Sequence, residues 1–178
     1  MKGNILKSGN LINGLLALSL VALLATTAFA DKAAPSTEDQ IHGLQTMCAE
    51  TADARVARQE EESLYLRLGG YDKILELTTE IVRLHSINPT IVHTLDGVDH
   101  ANLAKHVADF AAAGTGGDTK YTGRSLPASH AHLKLTDEDF LAAGSDVATA
   151  MTSMGYGENE INEFLCILVS LKDQVVFK

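Results

Sequence analysis

From residue 37 onward apolar residues recur at three- and four-residue spacing, and no segment alternates convincingly with period two. That pattern predicts helices throughout. A first, thin stripe of Ile41, Leu44, Cys48 and Val56 predicts a helix from a Thr37-Glu38-Asp39-Gln40 capping box to about Arg58. Glu60-Glu61-Glu62 marks a boundary, and Ser63 to Leu68 reads as a helical stub closed by Gly69-Gly70, where glycine lets the chain turn sharply. Tyr71 to His85 carries Ile74, Leu77, Ile81 and Leu84 on one side, and Asn88-Pro89 breaks it.

Asp99 is placed to cap the next helix. Its residues Leu103, His106, Val107 and Phe110 fall at i, i+3, i+4 and i+7, so His106 is expected on the apolar face. Small residues and glycines from Ala111 to Gly117 end it. Thr136 with Asp139 three residues on predicts a helix start. The helix that follows runs from Asp137 to Met154 with Phe140, Val147, Met151 and Met154 inward. Glu158 to Val176 is the last helix, with a stripe from Ile161 through Phe164, Leu165, Leu168 and Leu171 to Val175. The fold class is all-α.

The first 30 residues have a different character. Lys2 and Lys7 precede an apolar core from Leu15 to Leu24, and Ala28-Phe29-Ala30 is a small-x-small cleavage signal. The apolar run is short for a membrane span, which needs about 20 residues. The expectation is a signal peptide over 1–30, cleaved before Asp31, with an N-terminal extension over 31–62 and the main domain over 63–178. The mature chain is then exported, to the periplasm, with no membrane contact after cleavage.

Composition narrows the function. The chain carries a formal charge of -9, and residues 1–30 hold two lysines and no acid, so the mature chain is at -9 - 2 = -11. An acidic surface argues against nucleic acid and anionic membrane as partners. The two cysteines, Cys48 and Cys166, form no Cys-x-x-Cys-His, zinc cluster or nucleophile constellation. Cys166 lies away from the stripe of Phe164 and Leu168. Something must cover it, and the extension carries the only other cysteine, so a disulfide between them is expected. Gly114, Gly116 and Gly117 follow a helix rather than a strand, which removes the phosphate-loop reading.

The candidate chemistry lies in Tyr121–Phe140, where His130 and His132 follow Pro127 and precede a helix start. A histidine alone in such a turn is more often structural than ligating. Taken together, Leu68-Gly69-Gly70, Gly116-Gly117, Tyr121-Thr122-Gly123-Arg124, His130 and Thr136-x-x-x-Phe140 resemble a group I truncated haemoglobin, over about Ser63 to Val176. The resemblance implies a two-over-two helical sandwich, here with an extra N-terminal helix, holding haem b.

It further implies His130 as the proximal ligand of the iron and His106 as the sixth ligand, as in cyanobacterial members. His132 is the fallback for His130. Val82, Leu95, Leu103, Val107, Phe110, Tyr121 and Leu126 would line the slot. Arg124 and Lys105 would meet the propionates. Oxygen or nitric oxide would be the partner, with a redox partner if the protein carries electrons.

Three positions depart from the family pattern. Val82 stands where most members have tyrosine, Val107 where many have glutamine, and Leu95 where phenylalanine packs on the porphyrin. These changes remove hydrogen-bond donors to bound gas and keep the slot apolar. They motivate an alternative, a globin-shaped binding or sensor module that has lost haem. No distal acid–base pair supports a peroxidase or a nitric oxide dioxygenase. His42, His85, His93 and His100 have no comparable setting and are expected at the surface.

Overall fold

The computed structural model describes residues 34–178, and the expected signal segment lies outside them. Eight helices are found there: α1 Thr37–Glu50, α2 Ala52–Glu61, α3 Leu64–Arg67, α4 Gly70–His85, α5 His100–Gly114, α6 Leu126–His130, α7 Asp137–Ser153 and α8 Glu158–Leu171. Among the described residues no strand forms; Leu135 and Val176 make a single isolated bridge.

The extension is helical, as expected, but is two helices rather than one. Ser36, not Thr37, caps α1: its hydroxyl accepts from the Asp39 amide while the Asp39 carboxylate accepts from the Ser36 amide. The break falls at Thr51, whose hydroxyl donates back to the Met47 carbonyl at 2.8 Å. Arg55 takes up the Cys48 carbonyl at 2.6 Å. The Met47 carbonyl keeps its bond from the Thr51 amide, and Arg55 satisfies the Cys48 carbonyl that a continuous helix would have used. Val56, expected on the stripe, is exposed on α2, while Ile41 and Cys48 are buried.

The core lies between two helix pairs, α4 with α5 and α7 with α8, which stack through α4 and α7. This is the two-over-two sandwich. Ile74, Leu77 and Ile81 of α4 meet Val147, Ala150 and Met151 of α7 and Phe164 of α8 in one buried cluster. Gly69, in the left-handed region at φ 90, turns the chain from α3 into α4 as the diglycine predicts.

Against α4, α5 buries Ala104, Ala108, Ala111 and Ala112 rather than its larger residues. Methyl side chains let the two backbones approach, and the buried Thr78 hydroxyl of α4 donates to the Ala104 carbonyl at 2.9 Å. The larger apolar residues of α5 are turned onto an adjacent face.

Candidate functional site

His130 is the last residue of α6, a five-residue helix held at both ends. Before it, Ser125 caps α6 by accepting from the Ala128 amide, and Pro127 sits in the first turn, where a missing amide costs nothing. Upstream, the Tyr121 hydroxyl donates to the Arg124 carbonyl at 2.8 Å and folds the loop. The Tyr121 ring lies so close over Gly123 that a Cβ there would collide with it. The same ring meets Phe110 of α5 edge-on, centroids 5.1 Å apart. After His130, the Phe177 amide donates to the Leu135 carbonyl at 3.0 Å, and Lys172 pairs with Asp137 at 2.6 Å. The C-terminal end of the chain therefore fixes the loop that follows the histidine.

The His130 imidazole is half-buried, and its Nδ1 lies 2.8 Å from the Leu126 carbonyl. A carbonyl only accepts, so Nδ1 carries a proton, and in the neutral ring the lone pair is then on Nε2. That is the tautomer a metal ligand needs, with the second nitrogen fixed by a backbone acceptor. His132, the fallback, is exposed.

On α5, Leu103, Val107 and Phe110 are half-buried. His106 is exposed, not on a buried face as its spacing suggests. The alanine face, not the stripe of Leu103, Val107 and Phe110, is what packs on α4. Val82 is buried on α4, while Leu95, Tyr121 and Leu126 are half-buried.

The two candidate cations differ. Lys105 pairs with Asp109 at 2.9 Å, and Asp109 also accepts from the Tyr71 hydroxyl at 2.6 Å. The Tyr71 and Lys105 hydrogen bonds hold the Asp109 carboxyl below its usual range, and Asp109 in turn pushes the Tyr71 phenol up. Lys105 is thereby engaged. Arg124 is exposed and makes no ion pair among the described residues.

Of the histidines expected at the surface, His42, His93 and His100 are exposed. His85 is not: its Nδ1 lies 2.8 Å from Asp146 of α7, which also accepts from the Asn88 amide group at 3.0 Å. Burial lowers the His85 pKa, and the Asp146 carboxylate opposes that shift. The partners are 61 residues apart in sequence, so no local signal could have found the pair.

The donor set fits a haem. One imidazole has a free Nε2, half-buried apolar side chains come from α5, the loop and α6, and one unpaired guanidinium stands ready for a carboxylate. The fold is similar to that of the truncated haemoglobin from Tetrahymena pyriformis in its Fe(III) form, at 19% identity and a TM-score of 0.61, over 66% of this chain and 100% of that one. It is also similar to the 2/2 haemoglobin from Synechococcus sp. PCC 7002, solved in the cyanomet state with covalently attached haem. There the identity is 24% and the TM-score 0.61, over 65% of this chain and 99% of that one. With the two-over-two sandwich and these structures in agreement, and with the bacterial-like globin family matching residues 63–177, the chain belongs to that family.

Proposed function

We propose that this chain is a haem-binding truncated haemoglobin, of group I, that reversibly binds oxygen or nitric oxide or carries electrons outside the cytoplasm. The observation that carries the reading is the His130 imidazole, with Nδ1 donating to the Leu126 carbonyl and Nε2 free. Bound haem b supplies an iron centre for gas binding and one-electron transfer. His130 would give that iron its lower ligand, oriented by the short helix and by Leu126. Leu95, Leu103, Val107, Phe110, Tyr121 and Leu126 would cover the porphyrin and exclude water, and Arg124 would meet a propionate.

His106 is proposed as the sixth ligand. Its imidazole, exposed here, would be solvated once released from the iron. Valines at 82 and 107 donate no hydrogen bond. Released His106 would be the donor nearest a bound gas.

The test is a haem titration of the purified protein and its His130→Ala variant, read by absorption spectroscopy. The expected result is stoichiometric uptake by the parent and loss of tight retention by the variant. Equal retention by both would remove His130 from its role. Exposure of His106 favours one other reading, a haem-free globin module, and failure of the parent itself to take up haem would establish that one instead.

A further inference from the structure

None of the five residues of α6 is buried, so core packing does not hold the helix that carries His130. A 3-10 turn, Ala131–Leu133, continues from it. Lys134 follows in the left-handed region at φ 52, the only non-glycine residue there among the described residues. L side chains rarely adopt that conformation, and it persists where the surroundings fix the chain on both sides. On the far side, the Thr136–Asp139 capping box ties the chain to α7.

The segment after α8 supplies a second hold. The chain leaves α8 through a 3-10 turn, Lys172–Gln174, that lies beside α6. Lys172 reaches Asp137, the first residue of α7, at 2.6 Å, and its own side chain is only 15% exposed. A lysine is rarely so far buried without a partner. In such a pair desolvation offsets much of the attraction, so it fixes position more than it adds stability. Phe177 then donates its amide to the Leu135 carbonyl at 3.0 Å. The Phe177 ring is 44% exposed, so the amide rather than burial holds this residue. Both attachments fall just after Lys134, on the short stretch between His130 and α7.

We infer that residues 172–177 form a strap that positions His130 toward a haem iron, with Lys172 and the Phe177 amide as its two attachments. The inference rests on the reading of His130 as the lower ligand. The Leu126 carbonyl fixes which way the imidazole faces. The strap fixes where α6 stands, and with it where Nε2 stands. Lys172 and Phe177 are thus positioning residues, acting through the chain between Leu135 and His130.

The experiment uses the haem-loaded protein and reads two quantities. One is the rate of haem loss to an excess of an apoglobin acceptor. The other is the iron–histidine stretching band in the resonance Raman spectrum just after photolysis of the carbon monoxide complex, when the lower ligand alone is bound. Lys172→Met and Phe177→Pro each remove one attachment, since proline has no amide proton. Each is expected to speed haem loss by about tenfold, the scale found for groups that orient a metal ligand, and to shift and broaden the band. Lys172→Arg keeps the charge and Phe177→Leu keeps the amide, so both should match the parent. The inference is overturned if either Lys172→Met or Phe177→Pro keeps the parent's band, because faster haem loss alone would be a general loss of stability. It is equally overturned if Lys172→Arg or Phe177→Leu shifts the band as far. His130→Ala, run alongside, separates the two failures. If it retains haem like the parent, the reading of His130 falls and the strap with it. If it loses haem while the strap variants keep the parent's band, the strap alone falls.

Discussion

Cys48 of α1 and Cys166 of α8 are joined in a disulfide, with Cα atoms 5.5 Å apart, and each residue is buried by the other's helix. The bond closes a loop of 118 residues between the extension and the last helix. Constraining so long a loop in the unfolded chain is worth on the order of 4 kcal/mol. Reduction, or paired Cys48→Ser and Cys166→Ser substitution, is expected to lower stability by about that amount in denaturant unfolding. An unchanged midpoint would mean that the bond constrains nothing, and two free thiols in protein taken from its native compartment would mean that it does not form there.

A buried ion cluster provides the second tether. Glu163 of α8 is 5% exposed and receives both Arg67 of α3 and Arg58 of α2, while Arg67 also reaches Glu160 at 2.7 Å. Burial disfavours the Arg67 charge, but the Glu163 and Glu160 hydrogen bonds outweigh it and raise its pKa. Glu163→Leu should strand Arg67 without its main partner and cost about 3 kcal/mol. Arg58→Ala, at a more exposed site, should cost less, about 1 kcal/mol. Chemical denaturation ranks the two, and the reverse order would contradict the assignment of the larger share to the buried carboxylate that both arginines meet.

His85 sets a pH dependence. Its pKa is lowered in the fold by burial, so the folded protein holds it neutral while the unfolded chain takes up a proton. The stability tied to neutral His85 is full above about pH 6.5, the ordinary histidine value, and is lost as pH falls from there through the lower folded value. His85→Gln should flatten the stability profile in that window. A variant whose profile keeps the parent's slope would assign the dependence to another group.

His106→Ala should keep haem and convert the ligand-free ferrous spectrum from six-coordinate to five-coordinate. An unchanged spectrum would mean that another group occupies the sixth position, and the electron-carrying reading would lose its main support.

The sequence by itself determined most of the helices and turns, because those depend on near neighbours, but not the break at Thr51 or the end of the last helix at Leu171 rather than Val176. The spacing of Ile74, Leu77 and Ile81, the Thr136–Asp139 capping box and the Gly69 turn each act within a few residues. It also brought out His130 and the loop before it, since Ser125, Pro127 and Leu126 lie within five positions of the histidine. The family resemblance added what spacing alone could not, the reading of that histidine as a ligand.

Tertiary structure decided which side of each helix is buried and what distant groups meet. Apolar spacing on α5 pointed inward at Leu103, Val107 and Phe110, with His106 among them, yet the closest packing went to four alanines because methyl groups let α4 approach. The burial of His85 by Asp146, of Glu163 by two arginines, and of Cys166 by the extension joins residues from 61 to 118 positions apart. No local pattern encodes the pairs made by His85 and Glu163, because each exists only once the helices have stacked; the Cys48–Cys166 bond is legible in the sequence, which holds only two cysteines.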